Sequence, residues 1–535
     1  MFSFSTSLPE EVGVSSGSIR DLLLYLDEKD IPMHSILIMR KDKLIFEKYY
    51  APYQKDTLHR MFSISKSFTA FAISLLADEG RLSLDDSITD YFPEYTNEAT
   101  HPWIKATTIR NMLMMRTCHA STTYKVDMKS DWVESFFNVA PTHKPGTVFH
   151  YDTSAAHVLC SLVEKLTGMP MLDYLKDKLL HHLDFSENSY MVKDPFGISM
   201  GGSGLMATPM DILKVLYVLD KKGTVTCSDG IVRTLLNPEF IELATSNLSD
   251  NIMTGPLPSE SAGYGMQIWQ NEMGGFVMYG MGGQLAISIP DKELLIMTTA
   301  DTQGIAGGNQ VIYDGIYRIL LPGISDTESA DFASANSSHR VKEKSDYEAL
   351  CETANGLNIS LPRIPEKETS QAPGGASQTP KFIKALADAN SKPIILNYTL
   401  SKNRQGFSKV QLEITEDKSF IRFYAGENKE ASPVYDITFG FQSMLEGELK
   451  KVITKCYDIK GELPYEVQNG THYTAGAIWL RGNVLYVRIH LIDECVGSLR
   501  FELYFGDDDI TIFMRKIEET YFKEFDGHLY GTLIR

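Results

Sequence analysis

Residues 61–68 have the sequence Met61-Phe62-Ser63-Ile64-Ser65-Lys66-Ser67-Phe68, and they lead into an almost wholly apolar segment, FTAFAISLLA, at residues 68–77. A segment that is apolar on most sides predicts a helix that runs through the interior of a domain. Asp78-Glu79-Gly80 is typical of a helix end. The pattern therefore predicts a buried helix that begins at Ser63, around which the rest of the domain is built.

Ser63 and Lys66 lie three residues apart, so a helix presents both side chains on one face. A serine hydroxyl is a poor nucleophile without a base beside it, and lysine acts as a base only where burial or a nearby positive charge lowers its pKa. The start of a buried helix offers both conditions. Taken alone, Ser-x-x-Lys is also typical of an ordinary helix start with an exposed lysine, so the interpretation depends on other stretches.

Composition limits the function classes. The chain has 535 residues, 43% of them hydrophobic, and a net charge of −18. This length predicts two or three domains, and the acidic balance disfavours nucleic acid and anionic membrane as partners. The first residues, MFSFSTSLPEEVGVSSGSIRDLL, show no signal peptide, and no apolar stretch is long enough to span a bilayer. We therefore expect a cytoplasmic protein.

The cysteines and histidines give no sign of a metal site. Six cysteines are scattered without a Cys-x-x-Cys pair, which indicates free thiols in a reducing compartment. Cys118-His119 and His181-His182 are isolated pairs, and adjacent residues on a helix point apart. Neither a Walker A pattern nor a Gly-x-Gly-x-x-Gly after a strand occurs. The sequence thus predicts no cofactor and no metal.

A second stretch of chemical interest is HKPGTVFHYDT, residues 143–153. Its Pro-Gly pair predicts a turn, and Thr147–His150 a short strand. Thr153 or Ser154 is a suitable cap for the apolar helix that follows. Tyr151 is then expected to project from a strand-to-helix turn, where its phenol can face a cleft.

Two glycine-rich stretches follow. Residues 201–211, GGSGLMATPMD, predict a loop and then a helix capped by Thr208. Residues 279–290, YGMGGQLAISIP, predict a strand whose opening glycines allow a ligand to approach the backbone. Tyr264–Trp269, just before it, is expected to form another strand.

These four stretches, in this order, resemble the motifs of serine hydrolases of the penicillin-binding-protein and class C β-lactamase-like superfamily. The resemblance covers about residues 10–322. Three features are most similar to 6-aminohexanoate-dimer-hydrolase-type amidases: the Gly-Gly-Gln ending of the last motif, the sequence SISKSFT at 63–69 and the strand with the pattern YGxQxW at 264–269. The matching segments are Ser63-x-x-Lys66, Lys144–Tyr151, Gly201–Asp211 and Gly280–Gln284.

The resemblance implies a β-lactamase/transpeptidase-like α/β (α+β) fold, in which helices flank an antiparallel sheet and a helical subdomain is inserted at about 81–205. We expect this hydrolase domain at 1–325 and a linker, rich in small and polar residues, at 326–395. From 396 to 535, alternating apolar residues predict short strands that form an all-β antiparallel barrel or sandwich.

The resemblance also implies a mechanism. Ser63 attacks a carbonyl carbon, while Lys66 and Tyr151 serve as general base and acid and move the proton to the leaving group. The backbone N–H groups of Ser63 and Gln284 form the oxyanion hole. Water then hydrolyses the acyl-enzyme.

Two departures from the superfamily pattern affect the expected substrate. Thr153 stands where relatives carry Asn, and Met281 where they carry Lys or His; with Gly282 and Gly283, these are the candidate substrate-binding residues. A lysine at position 281 would pair with a substrate carboxylate, which methionine cannot do. We therefore expect a neutral amide or ester, with a small peptide-like or amino-acid-derived amide as the leading candidate.

Other functions stay open at this point. The same residues suit a carboxylesterase, or a β-lactamase or D-peptidase, although the substrates of the last two carry the carboxylate that Met281 cannot bind. In a different class, the protein is a binding homologue that keeps Ser63 without turnover. The sequence decides neither the role of the C-terminal domain nor whether the chain forms a homo-oligomer.

Overall fold

The computed structural model describes residues 2–325, 337–363, 393–426, 432–449, 471–481, 483–492, 494–517 and 522–535. These residues divide into two compact units, with the boundary between Leu357 and Asn358. The expected domain limits stay predictions. Part of the predicted linker forms a helix, Ser337–Gly356, while 326–336 and 364–392 lie outside the described residues.

The first unit contains helices α1–α11 and strands β1–β12. The helices are α1 Ser16–Glu28, α2 Ile64–Asp78, α3 Pro102–Lys105, α4 Ile109–Leu113, α5 Glu134–Asn138, α6 Thr153–Thr167, α7 Met171–Lys178, α8 Pro209–Asp220, α9 Pro238–Ala244, α10 Gln310–Gly315 and α11 Ser337–Gly356. The strands are β1 Ser5–Thr6, β2 Met33–Arg40, β3 Lys43–Tyr49, β4 His59–Arg60, β5 Tyr190–Met191, β6 Leu205–Ala207, β7 Thr224–Thr226, β8 Val232–Thr234, β9 Trp269–Gln270, β10 Phe276–Gly280, β11 Gln284–Ile289 and β12 Leu294–Ala300.

Seven of these strands form one sheet in the order β1-β3-β2-β12-β11-β10-β9, antiparallel except at the β1–β3 edge. Strand β2 is buried along its whole length because it lies between β3 and β12 and because helices cover the sheet. Lys41 and Asp42, both with positive φ, make the tight turn from β2 to β3. Residues from both ends of the unit thus build one sheet, as predicted.

Helix α2 lies in the core of this unit. Each of its residues from Ile64 to Ser74 is buried, and it packs against α6, α7 and β10. Since the helix is apolar on nearly every side, surrounding it on all faces gains more free energy than leaving one face in water. Ser63, at its start, is therefore held at a fixed position inside the protein.

The second unit is an antiparallel β structure. Its strands are β13 Ile394–Leu400, β14 Phe407–Ile414, β15 Ser419–Ala425, β16 Tyr435–Phe439, β17 Leu445–Leu449, β18 Thr471–Arg481, β19 Val484–Ile492, β20 Val496–Phe505, β21 Asp509–Lys516 and β22 Gly527–Leu533. They form one sheet in the order β16-β15-β14-β13-β22-β21-β20-β19-β18-β17.

This sheet curls until its ends meet. The carbonyl of Gly440, just after β16, accepts from Ala477 N–H at 2.8 Å, and Gly440 N–H donates to the Ala475 carbonyl at 3.3 Å, both in β18. The result is a nearly closed ten-stranded barrel, and the barrel alternative of the prediction is confirmed. Within the described residues of both units, no helix is long and apolar enough to cross a membrane.

Two local predictions were wrong. Residues Thr147–His150 form a turn and irregular backbone instead of a strand, and only Trp269, at the end of the predicted strand Tyr264–Trp269, enters the sheet. Both segments carry β-branched or aromatic residues, which favour strands on local grounds. Here Phe149 packs against Tyr264 and Trp269, and contacts between distant parts of the chain decide the conformation of both segments.

Candidate active site

Ser63 occupies the cap position of α2, yet its side chain makes no capping hydrogen bond. A serine at this position normally accepts from the backbone of the first turn. Instead its Oγ lies 2.9 Å from the Nζ of Lys66. The preceding residue, Phe62, has φ 46°, a left-handed conformation that is strained for a bulky side chain and typical of functional sites. The local backbone thus turns the hydroxyl away from capping and toward the lysine.

Lys66 is buried, with 1% of its surface exposed. Burial lowers its pKa from 10.5 to about 7, an effect that the nearby Asp152 carboxylate opposes and the charge of Lys125 reinforces. A large fraction of the amine is therefore neutral near pH 7, the condition that the sequence analysis required of a lysine base.

The glycine-rich loop 201–204 supplies the other partner of this lysine. Lys66 Nζ donates to the carbonyl of Gly202 at 2.6 Å. A Cβ on Gly202 would lie 2.5 Å from Thr153 Cγ2, and one on Gly201 would lie 2.2 Å from Cys160 Cβ. Glycine is thus required at both positions for the loop to approach the amine. The glycine pattern was visible in the sequence, but its target was not.

Tyr151 completes the group. Its hydroxyl lies within hydrogen-bonding reach of both Ser63 and the indole N–H of Trp269. Lys66 Nζ lies 4.8 Å from the centre of the tyrosine ring. Burial raises the pKa of Tyr151, the negative charge of Glu260 raises it further, and the bonds from Ser63 and Trp269 oppose this rise. The phenol therefore keeps its proton in the resting site.

Asp152, which the sequence analysis passed over, is the cap of α6. Its Oδ1 accepts from Ser154 N–H at 2.9 Å, so the helix starts at Thr153 and the predicted caps Thr153 and Ser154 are replaced by Asp152. The carboxyl is fully buried, and burial raises its pKa to about 6. The Asp152 carboxylate, next to Tyr151 in the chain, thus raises the pKa of Lys66 and partly opposes the effect of burial.

The third motif forms the turn between β10 and β11. Gly282 and Gly283 have φ 83° and 98°, conformations that favour glycine. A Cβ on Gly280 would lie 2.3 Å from the Met61 carbonyl, which brings this hairpin against the segment that carries Ser63. The side chain of Gln284 is buried and its Nε2 donates to the Met281 carbonyl at 2.6 Å.

The oxyanion-hole role of the Ser63 and Gln284 amides stays a prediction, as does substrate binding by Thr153, Met281, Gly282 and Gly283. Thr153 is half-buried at the start of α6, and its N–H donates to Thr122 Oγ1 at 3.2 Å.

Two residues near Tyr151 were not predicted as site residues, although Trp269 ends the predicted strand Tyr264–Trp269. The ring of Trp269 lies 5.3 Å from that of Tyr151 and 5.4 Å from that of Tyr279. Glu260, with 1% of its surface exposed, lies within hydrogen-bonding reach of Tyr279, and burial raises its pKa to about 7. Both residues lie more than 100 positions away from Tyr151 in the chain, Trp269 in β9 and Glu260 in a short helical turn, so no local pattern could have placed them beside it.

A serine hydroxyl, a largely neutral amine and a phenol thus meet in a desolvated place at the start of a buried helix. Fold and site together are those of a serine hydrolase. The Beta-lactamase family profile matches residues 24–313, more than half of the chain. The chain belongs to the Beta-lactamase family, which confirms the class of protein and the fold predicted from the motifs.

Individual relatives are more distant. Protein flp of Staphylococcus aureus is 28% identical over 199 residues, 33% of this chain and 40% of flp. The 6-aminohexanoate-dimer hydrolase of Paenarthrobacter ureafaciens is 23% identical over 272 residues, 47% of this chain and 68% of that protein. A D-stereospecific amidohydrolase structure from Streptomyces is 17% identical, with a TM-score of 0.43, and covers 56% of this chain and 98% of its own.

Proposed function

We propose that the chain hydrolyses an amide bond in a peptide-like or amino-acid-derived substrate through an acyl-enzyme on Ser63. The 2.9 Å contact between Ser63 Oγ and Lys66 Nζ carries this proposal. An amine with a pKa near 7 can accept the hydroxyl proton as the oxygen attacks. The neighbouring hydroxyls are engaged elsewhere, since Ser65 Oγ donates to the Phe62 carbonyl and Ser67 Oγ to the Gln267 carbonyl.

The two proton-transfer roles follow from the pKa directions. Lys66, with its lowered pKa, takes the proton from Ser63 while the Oγ–carbon bond forms. Tyr151, with its raised pKa, holds a proton that it gives to the leaving nitrogen as the carbon–nitrogen bond breaks, and Lys66 then restores it. The indole N–H of Trp269 stabilises the transient negative charge on the phenol oxygen. Water hydrolyses the resulting ester by the reverse sequence.

Negative charge on the substrate oxygen needs donors. The positive end of the α2 dipole lies at Ser63, and the hairpin that contains Gln284 approaches the same segment through Gly280. We assign the oxyanion hole to the Ser63 and Gln284 N–H groups, a contribution of about 3 kcal/mol per donor to transition-state stabilisation.

The neutral side chain of Met281 supports a substrate without a carboxylate at this edge of the site. The relative named as a hydrolase of the 6-aminohexanoate dimer supports an amino-acid-derived amide over a lactam. An ester is the second candidate, because the same groups act on a better leaving group. A small-molecule substrate, a cytoplasmic location and a homo-oligomer stay predictions.

A fluorophosphonate probe tests the nucleophile. We expect intact-mass analysis to show one adduct on the native chain, and Ser63→Ala to lose both the adduct and at least about 1000-fold of kcat/KM toward a p-nitroanilide. Ser401→Ala, which changes an exposed serine of the second unit, is the control.

Activity of Ser63→Ala at the native level would overturn the nucleophile. Absence of both labelling and turnover would instead identify a non-catalytic binding homologue. A short-chain ester and a cephalosporin, assayed beside the anilide, separate the esterase and β-lactamase alternatives.

A further inference from the structure

Glu260 is a buried carboxyl with an unmatched oxygen. It ends the short helical turn Pro258–Glu260, and Asn251 Nδ2 anchors its backbone carbonyl at 2.9 Å. Tyr279 and Asn309 lie within hydrogen-bonding reach of the carboxyl. Its Oε1 atom, however, is enclosed and has no hydrogen-bond partner among the described residues. A buried acceptor without a donor is costly unless another favourable interaction offsets it.

Between this carboxyl and Ser63 stands a group of four rings, Tyr151, Tyr264, Trp269 and Tyr279, which we call the aromatic wall. Trp269 is its centre, with ring centroids 5.3 Å from Tyr151, 5.1 Å from Tyr264 and 5.4 Å from Tyr279. Tyr264 and Trp269 are buried, whereas Tyr151 and Tyr279 keep part of their surface accessible. The wall therefore keeps accessible surface at Tyr279 and at Tyr151, whose hydroxyl lies within reach of Ser63.

The charges around the wall favour a cation. The negative charge of Glu260 acts on Tyr151, Tyr279 and Tyr313. At the facing hairpin, Met281 stands where a carboxylate-binding lysine would make the site cationic. Lys66 is largely neutral above pH 7, and Lys125, whose charge reaches Lys66, is exposed on the turn Thr123–Lys125. Aromatic faces backed by a carboxylate attract ammonium groups, and the attraction grows where water is excluded.

The type of ammonium follows from which atoms can be reached. Glu260 has only 1% of its surface exposed, and the Tyr279 hydroxyl lies within hydrogen-bonding reach of Glu260 and Asn309. A primary ammonium would lose water on the wall without gaining an acceptor for its N–H groups, which costs free energy. A quaternary ammonium has no N–H group that needs an acceptor, and it is attracted electrostatically to both the ring faces and the Glu260 carboxylate behind them.

We propose that the aromatic wall, with Glu260 as its enclosed counter-charge, binds a quaternary ammonium group on the acyl part of the substrate. Tyr279 lies on β10, which leads into the Gly280–Gly283 turn beside Ser63, so an acyl chain that leaves Ser63 along this strand reaches the wall. The inference rests on the proposed hydrolase function and narrows its substrate class to cationic acyl amides or esters.

The test uses p-nitroanilides that differ only at the end of the acyl chain. They are 4-(trimethylammonio)butanoyl, its neutral isostere 5,5-dimethylhexanoyl, 4-aminobutanoyl and glutaryl. With native protein at constant ionic strength and at about pH 8.5, above the pKa of about 7 of Glu260, so that its carboxyl is ionised, we expect kcat/KM for the trimethylammonio compound to exceed that of the isostere by about tenfold or more. The primary amine should fall between these two, and the carboxylate should be the poorest.

Glu260→Gln removes the counter-charge while keeping its shape. We expect the ratio of kcat/KM for the cationic compound over the isostere to fall about tenfold. The matched control is Glu272→Gln. Glu272 is an exposed carboxylate that accepts a hydrogen bond from Ser259, the residue before Glu260, at 2.9 Å. In this variant the ratio of the two kcat/KM values should stay within about twofold of native. Equal ratios in native protein and Glu260→Gln would overturn the proposal.

A measurement on native protein covers the case in which Glu260→Gln fails to fold. Tetramethylammonium should inhibit hydrolysis of the neutral isostere competitively, and acetate at the same concentration should not. Equal kcat/KM for the trimethylammonio compound and its isostere, or equal inhibition by the two ions, would contradict the inference while leaving the hydrolase intact. Hydrolysis of none of the anilides or esters, together with absent probe labelling, would instead contradict the proposed function.

Discussion

Glu260 in the first unit and Glu524 in the second are both carboxyls whose pKa burial raises to about 7. Glu524 accepts a hydrogen bond from the Tyr435 hydroxyl through its Oε1, whereas the Oε1 of Glu260 has no such partner among the described residues. The barrel interior around Glu524 is otherwise aromatic, with Phe407, Phe423, Phe501 and Phe525 packed together.

The interior around Ser63 is different, since it holds a buried amine, a buried carboxyl and a half-buried phenol close together. Burying polar groups whose charge is not fully matched lowers stability, and proteins retain them at sites where the charge is used. The contrast separates the site around Ser63, where polar groups are placed side by side, from the aromatic interior of the barrel around Glu524, which stabilises its own fold. Four substitutions test this contrast, from the largest expected effect on hydrolysis to the smallest.

Replacing the buried base should have the largest effect. Lys66→Met keeps much of the apolar stem but removes the amine that lies 2.9 Å from Ser63 Oγ. We expect kcat/KM to fall by about 1000-fold, which is within the usual range for loss of a general base. Lys344→Met, an exposed lysine of α11, is the control. Native activity in Lys66→Met would show that the amine has only a structural role, and the contrast between the Ser63 site and the barrel interior would then have no catalytic meaning.

Displacing a group that positions Lys66 should lower kcat/KM less than removing the amine itself. Gly202→Ala places a methyl group 2.5 Å from Thr153 Cγ2 and 3.1 Å from the Thr153 carbonyl, so the loop must move and take the Gly202 carbonyl away from Lys66. We expect kcat/KM to fall roughly 10- to 100-fold, since small displacements in an active site are costly. Gly197→Ala, where an added Cβ meets nothing within 4 Å, provides a comparison, although its φ of 91° adds strain.

Asp152→Asn should shift the pH dependence more than the maximal rate. Asparagine still caps α6, but the carboxylate that raises the pKa of Lys66 is gone. A base works when it is deprotonated, so native kcat/KM should rise as pH passes about 7. In the variant this rise should occur at lower pH, by less than about one unit, as measured between pH 5 and 9. An unchanged pH profile of kcat/KM would mean that the rise near pH 7 does not reflect deprotonation of Lys66.

The smallest effect on hydrolysis is expected from the barrel. Phe525 is fully buried among other rings, and Phe525→Ala should lower the free energy of unfolding by about 3–5 kcal/mol. Under conditions in which the variant stays folded, kcat/KM should remain within about twofold of native. Chemical denaturation and anilide hydrolysis measure the two quantities. A large loss of kcat/KM in a folded variant would show that the barrel takes part in the reaction.

Helix α2 and its pair Ser63 and Lys66 were predictable because helical spacing and apolar composition are local properties. Tyr151 was predictable as a residue but not in its setting, since the expected strand Thr147–His150 does not form. The roles of Gly202 and Asp152 were missed because each acts on Lys66 across a long stretch of chain.

The sequence by itself determined the buried helix, the alternation that builds the barrel, and the Ser-x-x-Lys, tyrosine and glycine motifs, since side-chain spacing and hydropathy are written along the chain. Only the tertiary structure decided that Lys66 loses its charge near pH 7, and that Trp269 and Glu260 stand beside Tyr151. The physical reason is that desolvation and charge–charge interactions depend on which distant residues surround a group, and this is settled only when the chain packs.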